Sequence, residues 1–173
     1  MKNNLALKKT SVGKSLGREM VYSPAPEDSS HIKINKRYDL FIGGKNVRTK
    51  KYFKTINPSN EKVLAEVSYA DGKDVERAVS SARKAYDNYW KNLPARERGK
   101  YIFRIARILQ EKAREFSIIE SMDGGKPIRE SRLVDVPLAI AHFFYYAGWA
   151  DKLHFDFHGL KTEPNGVAGQ IIP

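Results

Sequence analysis

The chain has 173 residues, 41% of them apolar, carries 31 Lys/Arg against 20 Asp/Glu for a net charge of +11, and contains no cysteine. That length suits one domain around a single core and argues against two independent ones. The absence of thiols excludes disulfides, thiolate-held metal and a cysteine nucleophile within these residues, and no apolar run approaches the roughly 18 residues of a membrane span.

Charge distribution argues against a polyanionic partner. Residues 1–37 hold eight Lys/Arg against three Asp/Glu, so +5 of the +11 belongs to a segment rich in Ser, Pro and Lys. The remaining +6 is spread along helical stretches of alternating sign, the pattern of a solvated face. Neither nucleic acid nor a membrane is expected as a partner, and a cytoplasmic location is expected. Met1 to Arg18 lacks acidic residues, as transit peptides do, but it has one arginine and no amphipathic repeat; it reads as a disordered tail.

In chain order, residues 1–37 read as a disordered basic leader broken by Ser23-Pro24-Ala25-Pro26, with order beginning near Tyr38. Leu40-Phe41-Ile42 before Gly43-Gly44 reads as a strand entering a turn, Tyr52 to Ile56 as its returning strand, and Lys62 to Tyr69 as a third strand after the Asn57-Pro58 break. Asp71 with Asp74 resembles a capping box opening a helix whose apolar face is Val75, Ala78, Val79, Ala82, Ala85 and Tyr86. A second helix opens at Pro94, runs on the stripe Ile102, Ile105, Leu109, Phe116 and Ile119, and stops at Gly124-Gly125.

After Pro127 comes a charged helical turn, then a break and restart at Asp135-Val136-Pro137, because proline does not sit deep in a continuous helix. Leu138, Ala141, Phe144, Tyr145 and Gly148 mark the buried face of the helix that follows. Lys161 to Pro164 reads as a short strand, and Gly166 to Pro173 as a final buried strand whose carboxyl end is where an α/β sheet binds ligands. Strands, then helices, then a strand indicate an α/β domain with further strands to come.

Chemical signals are sparse. No G-x-G-x-x-G, P-loop, H-E-x-x-H or G-x-S-x-G motif is present. His154 and His158 would share a face only in a helix, and Phe155, Phe157 and Gly159 favour extended chain there. Phe143 to Tyr146 could stack bases or line an apolar passage, although aromatic residues at helical spacing more often form core. Asp123-Gly124-Gly125-Lys126-Pro127 could present amides to an anion, or could be a glycine stop followed by a proline start.

Several segments, in order and at compatible spacing over residues 38–173, resemble the aldehyde dehydrogenase superfamily: Phe41 to Lys45, Ile56-Asn57-Pro58, Asp74-Val75 with Ala78-Val79 and Ala82-Arg83, and Pro94 to Arg98. More specific are Asp123 to Pro127 against D-x-G-K-P, Tyr145 to Lys152 against Y-Y-A-G-W-A-D-K, and Gly166 to Pro173 against the G-V-x-G-Q-I-I-P that precedes W-N-F-P. The resemblance implies the amino-terminal portion of a Rossmann-like cofactor-binding domain, incomplete here, from an enzyme that oxidises an aldehyde to a carboxylic acid with NAD or NADP. It implies that Ile171, Ile172 and Pro173 contact the dinucleotide, that Leu138 lines the aldehyde's passage, and that the Thr55 and Ile56 carbonyls with Asp123 form a structural monovalent-cation site. A plain hydrogen bond by Asp123, and helix packing by Leu138, are the alternative roles.

Three departures matter. The W-N-F-P asparagine, the nucleophilic cysteine and the general-base glutamate of the family are not among these residues, so no complete catalytic set can be built from them and the isolated chain is expected to be inactive. Trp149 to Gly166 is shorter than the family's oligomerising hairpin, which puts the usual tetramer in doubt while leaving a homo-oligomer open. The short linker and Tyr22 to Glu27 resemble the family-sixteen-like bacterial branch. The implied partner is the carboxyl-terminal part of the dehydrogenase, with the aldehyde as substrate; a non-catalytic interaction module is the alternative, motivated by the apolar edge of Val167 to Ile172.

Overall fold

The computed structural model describes residues 28–156, 158–159 and 166–172, so most of the expected leader, Lys161 to Pro164 and Pro173 lie outside the described residues. The described chain opens on a 3-10 turn, Ser29–His31, capped by the Asp28 carboxylate, which accepts from the Ser30 amide at 2.7 Å. Regular pairing begins at β1 (Arg37–Tyr38), one residue before the expected start.

Next come β2 (Leu40–Ile42) and β3 (Lys45–Val47), an antiparallel hairpin. Gly43 and Gly44 have φ of 60° and 78°, a two-residue turn whose twist matches the strands it joins. The partner of Leu40–Ile42 is therefore Lys45–Val47, and not Tyr52 to Ile56 as expected. A tight Gly-Gly turn returns the chain at once, and the polar Lys45-Asn46 hid the short returning strand.

β4 (Lys51–Ile56) instead pairs antiparallel with β5 (Val63–Tyr69), with an irregularity at Thr55/Ile56, and β1 joins β5 in parallel with Arg37 opposite Glu66. The sheet order is β1-β5-β4. Across the parallel pair the Arg37 guanidinium donates to Glu66 at 2.8 Å and lies over the Tyr52 ring. The β4–β5 connection is organised by buried Asn57, whose side-chain carbonyl accepts from the Ser59 amide and hydroxyl at 2.9 and 2.7 Å while its own amide donates to Lys62.

Helix α1 (Gly72–Asn88) starts with the expected reciprocal capping box: Asp71 accepts from the Lys73 and Asp74 amides, and Asp74 accepts from the Asp71 amide. Its expected apolar face is not covered, since Val75 and Val79 are about half exposed and no residue of the helix is buried. The second helix is two, α2 (Ala95–Glu111) and α3 (Ala113–Gly124), because Lys112 at ψ 13° leaves the helical range. That turn rotates the stripe: Ile102, Leu109 and Ile119 stay inward, while Ile105 and Phe116 emerge.

α4 (Ile128–Glu130) passes into a π turn, Ser131–Asp135, and then directly into α5 (Val136–Trp149). No break occurs at Pro137. The Val136 amide donates to the Ser131 carbonyl, five residues back, and this widened turn accommodates a proline that has no N–H to give. Inward positions on this continuous helix are Ser131, Val136, Ile140, Phe144 and Ala147. Leu138, expected inside, is 52% exposed, and Tyr145 is also out.

α2 and α5 form the core. Ala106 is fully buried and Ile140 nearly so, Phe103 meets Phe144 edge to face at 5.0 Å, and a Cβ on Gly99 would lie 2.9 Å from the Ala147 carbonyl. Only glycine lets the two backbones approach so closely. A last short helix, α6 (Leu153–Asp156), lies where extended chain was expected.

The expected final strand is absent from residues 166–172, which run without sheet pairing; Ile171 is 99% and Ile172 81% exposed. A strand must hand its amides and carbonyls to a neighbour. The described strands pair as β1-β5-β4 and β2-β3, and none of them borders this segment.

Candidate functional site

Two of the segments that carry the resemblance meet in space. Asp123 lies in the last turn of α3, and the Thr55 hydroxyl of β4 donates to its carboxylate. Gly125 caps α3 in the left-handed region at φ 70°, and a Cβ there would lie 2.7 Å from Pro58 Cγ. The Asp123–Pro127 turn is therefore folded against the Asn57-Pro58 turn, and this clasp joins the sheet to the helical layer.

The clasp settles how its glycines are used. Gly125 donates its amide to the Ser121 carbonyl at 3.1 Å, and the Ser121 hydroxyl donates to the Lys126 carbonyl at 2.7 Å. The Gly125 amide is thus spent on ending the helix, and Pro127 starts the next one, which is the stop-and-start reading. The Lys126 ammonium reaches on to the Asp135 carboxylate at 2.7 Å, and this hydrogen bond raises the lysine's pKa above its ordinary value.

Of the residues expected at a cation site, Thr55 and Asp123 come together through their side chains, and Ile56 follows Thr55 at the β4 irregularity. Among the described residues, no three His, Cys, Asp or Glu side chains are grouped to hold a metal ion. His158 Nδ1 lies 3.1 Å from the His154 carbonyl, a local helix-end contact.

Leu138 is exposed, and so are Leu133 and Val134 just upstream on the π turn. Sequence reasoning missed the other two. The signal available was Pro137, which required the preceding turn to change geometry. Ile171 and Ile172 are largely exposed, and the preceding Gly166 lies against the Arg83 guanidinium of α1. Pro173 is outside the described residues. The tail offers two β-branched side chains suited to an apolar wall, but the described residues build no cradle around them.

The aromatic run divides. Phe144 packs on the half-exposed Phe103 at the α2–α5 contact, whereas Tyr145 and Tyr146 stack edge to face at 5.2 Å on the exposed side, with Trp149 6.1 Å from Tyr145. No helix among the described residues is long and apolar enough to cross a membrane.

Known proteins place this arrangement. A sequence profile of the aldehyde dehydrogenase family matches residues 45–173. The chain is 40% identical over 152 residues to a mitochondrial benzaldehyde dehydrogenase of Antirrhinum majus, covering 81% of this chain and 28% of that protein. It is 36% identical over 162 residues to a mitochondrial aldehyde dehydrogenase of Equus caballus, covering 87% and 32%. Among solved structures, an NAD+ complex of the aldehyde dehydrogenase from Bacillus cereus superposes with a TM-score of 0.67 at 33% identity, covering 69% of this chain and 25% of that one. An indole-3-acetaldehyde dehydrogenase of P. syringae in complex with NAD+ gives 0.65 at 34% identity, covering 70% and 25%. The chain thus spans about a third of the length of these curated relatives and folds as a partial α/β domain. With the profile spanning most of its residues and the motifs at Asp123, Tyr145 and Gly166 in order, the chain belongs to the aldehyde dehydrogenase family.

Proposed function

We propose that this chain is the amino-terminal portion of an NAD(P)-dependent aldehyde dehydrogenase that oxidises an aldehyde to a carboxylic acid. The observation that carries the reading is the family match over residues 45–173 in a chain with no cysteine. Substrate-side and cofactor-side surfaces can be supplied here, while the attacking thiolate cannot.

In this reading Ile171, Ile172 and Pro173 form an apolar wall against the dinucleotide, which when bound accepts the hydride. Leu138 lines the aldehyde's passage, consistent with its exposed position beside Leu133 and Val134. The Thr55 and Ile56 carbonyls with Asp123 hold a monovalent cation in this reading, and the hydrogen bond from the Thr55 hydroxyl to Asp123 is the competing role for that carboxylate. The partner is the rest of the dehydrogenase, with a homo-oligomer open, and a cytoplasmic location fits the absence of cysteine.

The chain alone is proposed to be silent, because orientation without nucleophile, base or oxyanion donor leaves the chemical step without participants. The test is aldehyde-dependent NAD(P) reduction, measured for the 173-residue chain and for a polypeptide that continues into the downstream cysteine. Activity in the second and none in the first is expected. Turnover by the chain alone, or inertness of the longer polypeptide, overturns the reading.

A non-catalytic interaction module is favoured by one observation, the uncovered apolar face of α1 at Val75 and Val79. Its motivation in the sequence, the apolar segment Val167 to Ile172, runs without sheet pairing and leaves Ile171 and Ile172 exposed. A discrete complex on size exclusion supports the module, and aggregation supports the enzyme portion.

A further inference from the structure

The π turn Ser131–Asp135 reverses the usual preference of its side chains. Ser131 is fully buried and its hydroxyl has no hydrogen-bond partner, whereas Leu133 two residues later is 63% exposed. Continuing α5 upstream with regular α geometry would step the inward ladder from Ile140 and Val136 to Leu133 or Arg132. That would bury the leucine and release the serine. The observed turn instead places inward Ser131 and inward Ile140 nine positions apart, about two more than the roughly 7.2 residues of two α turns.

Pro137 explains why regular geometry is disfavoured, since its ring collides with the carbonyl four residues back, that of Leu133. It does not explain which irregular geometry is chosen. A tie that spans the turn does. Lys126, in the clasp at the end of α3, binds Asp135, the last residue of the π turn, at 2.7 Å, and the backbone around Lys126 is itself fixed by Ser121. Both partners are only partly exposed.

We propose that the Lys126–Asp135 ion pair is a positioning device that holds the helix in its π register and so keeps Leu133 and Val134 exposed, as Leu138 is, setting the width available to an aldehyde. The aldehyde part rests on the dehydrogenase reading above; the hold on the register does not. Lys126 and Asp135 are positioning residues and touch no reacting atom in this scheme. The surface they arrange is apolar, so the property it controls is discrimination between aldehydes by size, where small changes in pocket volume separate substrates by about tenfold.

Two measurements test it with the variants Lys126→Met and Lys126→Arg. Amide hydrogen exchange on the 173-residue chain is expected to quicken by about tenfold over residues 131–138 in Lys126→Met, with α2 unchanged, and to return to the unmodified rate in Lys126→Arg. Unchanged exchange in Lys126→Met means that Pro137 alone holds the turn and overturns the proposal. In the longer polypeptide carrying the downstream cysteine, Lys126→Met is expected to shift KM for bulky aldehydes by about threefold to tenfold relative to short ones, with kcat and the KM for NAD(P) unmoved and Lys126→Arg restoring the ratio. Equal shifts for all aldehydes, or a fall in kcat alone, overturn the size-selection role. If the unmodified longer polypeptide shows no aldehyde-dependent reduction at all, the dehydrogenase reading has failed and the size-selection role fails with it, while the exchange measurement still decides the hold on the turn.

Discussion

The α2–α5 pair and the β1-β5-β4 sheet with α1, which follows it in the chain, both carry apolar faces, yet this chain covers the first more fully. Ala106, Ile140 and Phe144 find partners across a close helix contact, whereas Phe53, Val63 and Tyr69 of the sheet and Val75 and Val79 of α1 stay substantially exposed. The two regions teach that an apolar stripe reports burial in the finished assembly, and a segment spanning about a third of its relatives meets only some of its partners.

The contrast can be broken most severely in the helix pair. Ile140→Ala removes a nearly buried side chain and is expected to cost about 3–4 kcal/mol, read from urea unfolding followed by circular dichroism. Gly99→Val forces a branched side chain toward the Ala147 carbonyl and is expected to cost about 2–3 kcal/mol in the same measurement. A loss under 0.5 kcal/mol for either would mean that α2 and α5 are not the chain's core.

Smaller effects sharpen the other side. Asp71→Ala removes both hydrogen bonds that its carboxylate accepts and is expected to cost about 1 kcal/mol, with faster amide exchange at Lys73 and Asp74. Val79→Ser, on the uncovered face of α1, is expected to change stability by less than about 0.5 kcal/mol. A loss of several kcal/mol there would show that α1 is already buried in solution, by association of this chain.

Much of the fold was legible where a local rule acts without distant help. The Asp71/Asp74 box, the Gly43-Gly44 turn and the Asn57-Pro58 break are each fixed by side chains within a few residues of the backbone they control. What required tertiary information was not legible. Lys45–Val47 carries no apolar alternation, so its role as a strand depends on β2 beside it. The bend at Lys112 and the π turn rotate helix faces by amounts that residue spacing cannot reveal, which is why Ile105, Phe116 and Leu138 were expected inside.

The candidate site divides in the same way. That Thr55 and Asp123 belong together came from the resemblance, and the structure adds Pro58 against Gly125 and Lys126 against Asp135, contacts that only the folded clasp discloses. The β-branched Ile171 and Ile172 favour a strand, but a strand's place in a sheet depends on neighbours that these residues do not supply.

The capping box at Asp71 also bears on the order of events during synthesis. A helix whose amino terminus is closed by its own side chains can wind as soon as it clears the ribosome, and the β4–β5 hairpin just before it needs no later residue to pair. α2 has no such independence, because Gly99 and Ala106 acquire their counterpart only when α5 has been translated. A ribosome paused between the two would therefore hold a nascent chain in which the face of α2 at Gly99 and Ala106 is still uncovered.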